Sequence, residues 1–308
     1  KGKTERSGVR VCRIAPREDH ITLRQGDLLT LRPDLSPGSP AEYGESGNVI
    51  SAATVGCTIP EILEDVNVGE HVWFDDGKIG GIVEGKTAGG LQIRIMHTSL
   101  ASAKLSSDKG INFPEREHDL PALTPADIPV LEFIAEHADI AAMSFANTPD
   151  DVKSLLGHLG QMGKKGLPIV LKIETRRGFA NLPAMLLEAM KNPGCGVMIA
   201  RGDLAIELGF ERLAEVQEEI LWLCEAAHVP AIWATQVLES LAKQGSPTRA
   251  EITDAAMGNR AECVMLNKGP HILEAVNALN DILKRMETHQ LKKMSMLREL
   301  RLAYNFPQ

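Results

Sequence analysis

The chain has 308 residues, with 33 Lys and Arg against 41 Asp and Glu and a formal net charge of -8. That length supports one large α/β domain or two smaller ones. The acidic balance, with an isoelectric point near 5.7, argues against a nucleic-acid-binding surface, so any anionic substrate must be met by a local basic site. No apolar run approaches the ~18 residues of a membrane span, and no signal-peptide pattern opens the sequence. Five scattered cysteines (Cys12, Cys57, Cys195, Cys224, Cys263) form no CxxC pair, which predicts reduced thiols in an intracellular protein.

Residues 1–8, KGKTERSG, are short and basic and read as the end of an element. From Val9 to His118 the texture is β-rich. VRVCRI, ITLRQGDLLTLRP, HVWFDDGKIGGIVEG and GLQIRIMH alternate apolar and polar residues over strand lengths. Gln25-Gly26-Asp27, Asp75-Asp76-Gly77 and Ala88-Gly89-Gly90 mark turns. Pro33–Gly47, with three prolines and three glycines, reads as a loop. This pattern predicts a small antiparallel β domain or barrel, with Asp75 and Asp76 as turn residues rather than ligands.

From Asp119 the pattern switches to βα repeats. IAAMSFA, LPIVLKIE, GVMIARGD, VPAIWATQ and CVMLNKG are apolar runs with polar ends at Ser144, Lys172, Arg201, Thr235 and Asn267. They recur about every 30 residues, the pitch of a βα unit, and their continuity predicts strands buried on both faces. Thr148-Pro149-Asp150-Asp151 offers an N-cap and a proline at the first helical position, and Thr248-Arg249-Ala250-Glu251 is a capping box in outline. Such units build a (β/α)₈ barrel or an open doubly wound sheet, the barrel needing eight strands in about 250 residues. Glu274–Leu300 is a long helical pattern whose methionines read as packing residues, followed by the tail RLAYNFPQ. The division is therefore 1–8, the end of a barrel strand; 9–118, a β-rich domain; 119–285, βα units; and 286–308, a terminal helix and tail.

The stretch Leu167–Glu207 organises the chain. Two strand-like runs, Ile169–Ile173 and Val197–Ala200, enclose a helix pattern with Phe179, Leu182, Met185, Leu186 and Ala189 at helical spacing. Lys172 and Glu174 are two apart, so a strand points both to one face. With Asp203 they place a lysine and two carboxylates at strand C-terminal ends, the rim where parallel α/β folds do chemistry. Two carboxylates there suit Mg²⁺ or Mn²⁺, which keep waters for a substrate. A structural Lys–Glu pair at a barrel rim is the alternative reading of the same residues.

At KIETRRG, ARGDLAIE, PAIWATQVLESL, SPTRAEITDAA and ECVML the chain resembles the pyruvate kinase family, whose KIE, ARGDLG, ATQMLES, PTRAE and IML stretches follow in the same order and spacing. FDDGKI and KGINFPEREHDLPALTPAD are similar to the family's VDDGLI and KGVNLPGAAVDLPALSEKD, and residues 1–8 to its KGPEIRTG. The resemblance spans roughly residues 1–285. It implies a (β/α)₈ TIM-type barrel with a β-rich lid inserted after the third strand, and phosphoryl transfer between phosphoenolpyruvate and ADP in the cytoplasm, with Mg²⁺ or Mn²⁺ and K⁺ as cofactors. By position it implies Glu174 and Asp203 as metal ligands and Lys172 as the cation beside the phosphoryl group in flight. It implies the N–H groups of Gly202 and Asp203 as a carboxylate site, Thr235 as a hydroxyl near that carboxylate and the methyl carbon, and Arg6 as a contact to the transferred phosphate. Ser144 matches a serine beside the active site. Self-association into a homo-oligomer is compatible with the resemblance; a membrane or nucleic acid is not expected.

The family pattern is not matched throughout. The resemblance sets barrel strands one and two and most of strand three ahead of Lys1, together with residues of the nucleotide-phosphate and K⁺ sites. An incomplete barrel is therefore expected, completed by a longer polypeptide or a second chain. SFIR becomes Ser144-Phe145-Ala146-Asn147, ARGDLG becomes ARGDLAIE with Ala205, and LSGETAKGDYP shortens to Leu266-Asn267-Lys268-Gly269-Pro270. Nothing beyond residue 285 resembles the family's C-terminal regulatory domain. These changes spare the pyruvate and metal side and erode the nucleotide side. The alternatives are thus a metal-dependent lyase or decarboxylase that stabilises a pyruvate enolate, and a non-catalytic homologue.

Overall fold

The structure, a computed structural model, describes residues 20–46, 49–116 and 120–290. The strand expected at Val9–Ile14, Arg6, Cys12 and the tail beyond residue 290 lie outside the described residues, as does the 118/119 boundary.

The N-terminal part is a β-structure. Its elements are β1 (His20–Leu23), β2 (Leu28–Arg32), β3 (Glu42–Tyr43), β4 (Val49–Ser51), β5 (Ala53–Gly56), the short helix α1 (Ile62–Asp65), β6 (His71–Phe74), β7 (Ile79–Thr87), β8 (Gly90–Thr98), β9 (Ala103–Ser106) and β10 (Ile111–Asn112). Six strands form one sheet in the order β10-β6-β7-β8-β2-β5, antiparallel throughout except where β2 runs parallel to β5. The period-2 pattern sends Leu29 and Leu31 of β2 and Leu91, Ile93 and Ile95 of β8 into a core they share with Phe74, Ile79 and Val83. Asp75, Asp76 and Gly77 turn β6 into β7, with φ of +53°, +53° and +80°. The Pro33–Gly47 stretch is not all loop, because Glu42–Tyr43 forms a short exposed ladder with β4.

The second part is built of βα units: α2 (Asp127–His137), β11 (Ala141–Met143), α3 (Pro149–Gln161), β12 (Ile169–Ile173), α4 (Arg176–Ala189), β13 (Cys195–Ala200), α5 (Arg201–Leu208), α6 (Phe210–Ala227), β14 (Ala231–Val237), α7 (Glu239–Gln244), α8 (Arg249–Met257), β15 (Cys263–Leu266) and α9 (Ile272–Gln290). The five strands pair in parallel and in chain order, β11-β12-β13-β14-β15, a curled half-barrel rather than a closed ring. Ile169, Val170, Leu171 and Ile173 are buried on alternating faces of β12, because helices cover one side and the barrel interior the other. Phe179, Leu182, Met185, Leu186 and Ala189 of α4 are all buried, as their spacing predicts. The expected capping box at Thr248 with Glu251 is present, and the expected N-cap at Thr148 is a capping box as well, closed by Asp151. Helix α9 runs unbroken across residues 285 and 286. The four described cysteines are free thiols. Among the described residues no helix is long and apolar enough to cross a membrane.

Parallel pairing puts Ser144, Lys172, Arg201, Thr235 and Asn267 at one rim. The β-structure meets that rim at α5. A Cβ at Gly77 would lie 2.3 Å from Ile206 Cδ1, and one at Gly202 3.4 Å from Asp76 Cγ. The hydrogen bond from Asn112 Nδ2 to Asp203 Oδ1, 3.4 Å long, completes the contact.

Candidate active site

Strand β12 ends in an ammonium and a carboxylate. Lys172 Nζ lies 2.8 Å from Glu174 Oε1 and donates to Ser144 Oγ, at the end of β11, over 2.7 Å. Glu174 is 4% exposed, and a lone buried carboxylate would be costly. Its other oxygen, Oε2, accepts the backbone N–H of Phe145 at 2.5 Å. Phe145 itself takes φ of +50°, which turns the chain sharply after β11.

Strand β13 runs without a linker into α5, so Gly202 and Asp203 sit in the helix's first turn, where backbone N–H groups lack helical partners. Burial lifts the Asp203 carboxyl to a pKa of about 6, and the charges of Glu174 and Asp76 push in the same direction; the Asn112 hydrogen bond and Lys172 oppose them only in part. One turn further, burial raises Glu207 to about 7, against the lowering effect of hydrogen bonds from Arg176 and the Asn112 amide. Asn112 is buried, and its Oδ1 has no hydrogen-bond partner among the described residues.

Strand β14 does not end as a plain strand. Its ladder with β15 shifts register between Trp233 and Val237, and within that bulge Thr235 and Gln236 take φ of +65° and +57°. Thr235 thereby directs Oγ1 to the Gly202 N–H, which donates over 3.0 Å. The buried Arg201 donates to the carbonyl oxygens of Ala234 at 2.8 Å and Thr235 at 2.5 Å. It also forms a two-point pair with Asp254 of α8 and stacks 4.4 Å above the Trp233 ring.

A lysine, two carboxylates and a hydroxyl thus converge from the ends of three successive parallel strands. The sequence model described as "Pyruvate kinase, barrel domain" matches residues 6–271. The chain belongs to the pyruvate kinase family. It is similar to the pyruvate kinase of Debaryomyces hansenii (36% identity over 231 residues, 71% of this chain and 43% of that protein). It is also similar to pyruvate kinase PKLR of Homo sapiens (34% over 260 residues, 82% and 43%) and to the pyruvate kinase of Clostridium acetobutylicum (30% over 274 residues, 86% and 56%). The chain spans about half the length of these curated relatives.

Of the family positions read from the sequence, Lys172, Glu174, Gly202, Asp203 and Thr235 come together, and Ser144 joins them through Lys172. Arg6 lies outside the described residues. The Gly202 N–H, expected to meet a substrate carboxylate, is taken by Thr235 Oγ1. Asp76, Asn112, Phe145, Arg201 and Glu207 also belong to the cluster and were not read from the sequence as site residues. Asp76 was read only as a turn residue; it is that, and its charge also bears on Asp203. The loop after β15 folds against α7: Asn267 Nδ2 donates to Glu239 Oε1 at 3.2 Å, and a Cβ at Gly269 would lie 2.1 Å from the Ala242 carbonyl oxygen. A cleft of about 1900 Å³ runs from the β-structure to β11; Ser144, Phe145 and Glu207 line it, Lys172 and Asp203 do not.

The donor set fits a hard divalent cation. Among the described residues no three His, Cys, Asp or Glu side chains are grouped to hold a metal; Glu174 and Asp203 are two carboxylates whose charges interact at this rim. Mg²⁺ is commonly held by one or two carboxylates, with waters and substrate oxygens completing the octahedron. The Asp203 pKa rises chiefly by burial and further by the charges of Glu174 and Asp76, and a bound cation would offset both costs.

Proposed function

We propose that the chain carries the phosphoenolpyruvate side of a pyruvate kinase and transfers a phosphoryl group between phosphoenolpyruvate and ADP, giving pyruvate and ATP. The observation that carries the reading is the convergence of Lys172, Glu174, Asp203 and Thr235 on one rim in a member of this family. Glu174 and Asp203 would hold Mg²⁺ or Mn²⁺, which supplies positive charge at the substrate oxygens. Lys172, tied down by Ser144 and Glu174, presents its ammonium as a preorganised cation for the phosphoryl group, where positioned charge does most of the work. The first turn of α5 faces the substrate carboxylate with backbone N–H groups, Asp203 among them. Thr235 holds a hydroxyl, and so a proton, at the position of the methyl carbon. Arg6 would contact the transferred phosphate.

In this reading residues 9–118 are the lid and 119–285 the barrel units, K⁺ is a second cation, the site of action is the cytoplasm, and the protein self-associates. The test is a coupled assay for pyruvate formed from phosphoenolpyruvate and ADP with Mg²⁺. The expected result is turnover that Lys172→Met lowers by roughly 10³-fold, the scale of removing a preorganised charge. Turnover that Lys172→Met leaves unchanged refutes the assignment.

A further inference from the structure

Thr235 is β-branched and holds φ of +65°, a region such residues avoid because Cβ crowds the backbone. Strain of this kind persists only where surroundings impose it. What imposes it here is visible. The bulge between Trp233 and Val237 takes Ala234, Thr235 and Gln236 out of regular ladder register with β15. The guanidinium of Arg201, a residue 9% exposed, accommodates the resulting geometry by donating Nε–H to the Ala234 carbonyl and an NH2 hydrogen to the Thr235 carbonyl. Its remaining donors go to both carboxylate oxygens of Asp254, and its face lies on Trp233. Only a planar, fixed fork can serve two carbonyl groups and a carboxylate together. Asp254 neutralises a guanidinium that would otherwise be buried alone.

We propose that Arg201 and Asp254 are positioning residues for Thr235: the pair locks the β14 bulge so that the Thr235 hydroxyl stays on the Gly202 N–H at the substrate end of the site. The relevance to catalysis rests on the role proposed above for Thr235. The positioning itself does not depend on activity, because Gly202 reports it. Gly202 is the second residue of α5, its amide has no partner within the helix, and its N–H donates to Thr235 Oγ1.

The experiment is amide hydrogen exchange by NMR on the whole chain, read at Gly202 and, as internal controls, at Val197 and Ile199 of β13. Thr235→Val removes the hydroxyl isosterically and is expected to speed Gly202 exchange tenfold or more. Asp254→Asn is expected to reach the same rate with Val197 and Ile199 unchanged, and to add nothing in the Thr235→Val background, since coupled residues are non-additive. Arg201→Lys, which keeps the charge but loses the fork, is expected to behave like Asp254→Asn and replaces it if that variant does not fold. Unchanged Gly202 exchange in the folded Asp254→Asn or Arg201→Lys chain overturns the proposal. So does a further acceleration on top of Thr235→Val. A chain with protected Gly202 and no turnover counts against the proposed function and leaves the positioning intact.

Discussion

Asp203 stands beside Glu174, the carboxylate that ends the neighbouring strand, and burial together with that charge lifts its pKa from 3.8 to about 6. A carboxyl that is harder to ionise in the folded state than in the unfolded chain weakens the fold once ionised. The destabilisation is absent below pH 4, grows as pH rises from about 4 to 6, and is constant above. A rise of this size corresponds to roughly 3 kcal/mol. Without divalent cation, Asp203→Asn is therefore expected to stabilise the chain by about 2–3 kcal/mol at pH 7.5 and by nothing at pH 3.5, measured by urea unfolding. Mg²⁺ or Mn²⁺ is expected to stabilise the unsubstituted chain, and Asp203→Asn much less. Equal stabilisation of both chains by the cation would remove Asp203 from the metal site.

The Lys172–Glu174 pair makes the opposite prediction. Lys172→Met leaves the buried Glu174 carboxylate with the Phe145 N–H and no cation. The expected loss is about 2 kcal/mol at pH 7.5 without metal, less than the ~3–5 kcal/mol of a fully buried broken pair because Lys172 keeps partial solvent access. Adding Mg²⁺ is expected to restore part of it by taking the ammonium's place beside the Glu174 carboxylate. Denaturation midpoints with and without Mg²⁺ read both effects.

The Asn112 contact couples the N-terminal β-structure to the same carboxylate. Asn112→Asp replaces a donor to Asp203 by a third acidic group near Asp203 and Glu207. The pH midpoint of the stability loss is expected to move up, above that of the unsubstituted chain, since a like charge disfavours ionisation. The same urea series repeated between pH 4 and 8 measures it.

Away from the site, Thr248 caps α8, and the Glu251 side chain of that cap also accepts the Ser240 N–H of α7 at 2.5 Å. Thr248→Ala is expected to cost about 1 kcal/mol. Glu251→Ala is expected to cost more, because it releases two helices, and the difference in urea midpoints checks the order.

The strand ends were legible in the sequence because an apolar run with an abrupt polar terminus has one physical reading in a parallel sheet. Lys172, Glu174 and Asp203 follow from it, and the Asp75-Asp76-Gly77 turn, the Thr148 N-cap and the Thr248–Glu251 capping box follow from equally local chemistry. The rest depends on distance along the chain. Asn112 meets Asp203 across 91 residues and Arg201 meets Asp254 across 53, separations over which no period carries information. The β14 bulge is hidden for another reason. AIWATQV reads as a regular strand, and nothing local announces a threonine at positive φ, because the carbonyl groups of its bulge are met by the Arg201 fork from the neighbouring strand end. The inward turn of Arg201 was likewise invisible, since an arginine after an apolar run ordinarily reads as a solvent-facing end.

The most direct test of the account is exchange of the pyruvate methyl protons with deuterium, followed by proton NMR, with Mg²⁺ and without nucleotide. It asks whether Asp203 and Thr235 act on pyruvate through one site, the pyruvate half of the proposed reaction; the coupled phosphoenolpyruvate–ADP assay separates phosphoryl transfer from enolate chemistry alone. The account predicts Mg²⁺-dependent exchange well above the rate with metal alone, lowered at least tenfold by Asp203→Asn and by Thr235→Val. Exchange no faster than with metal alone, or equal rates in the Asp203→Asn chain, would contradict it.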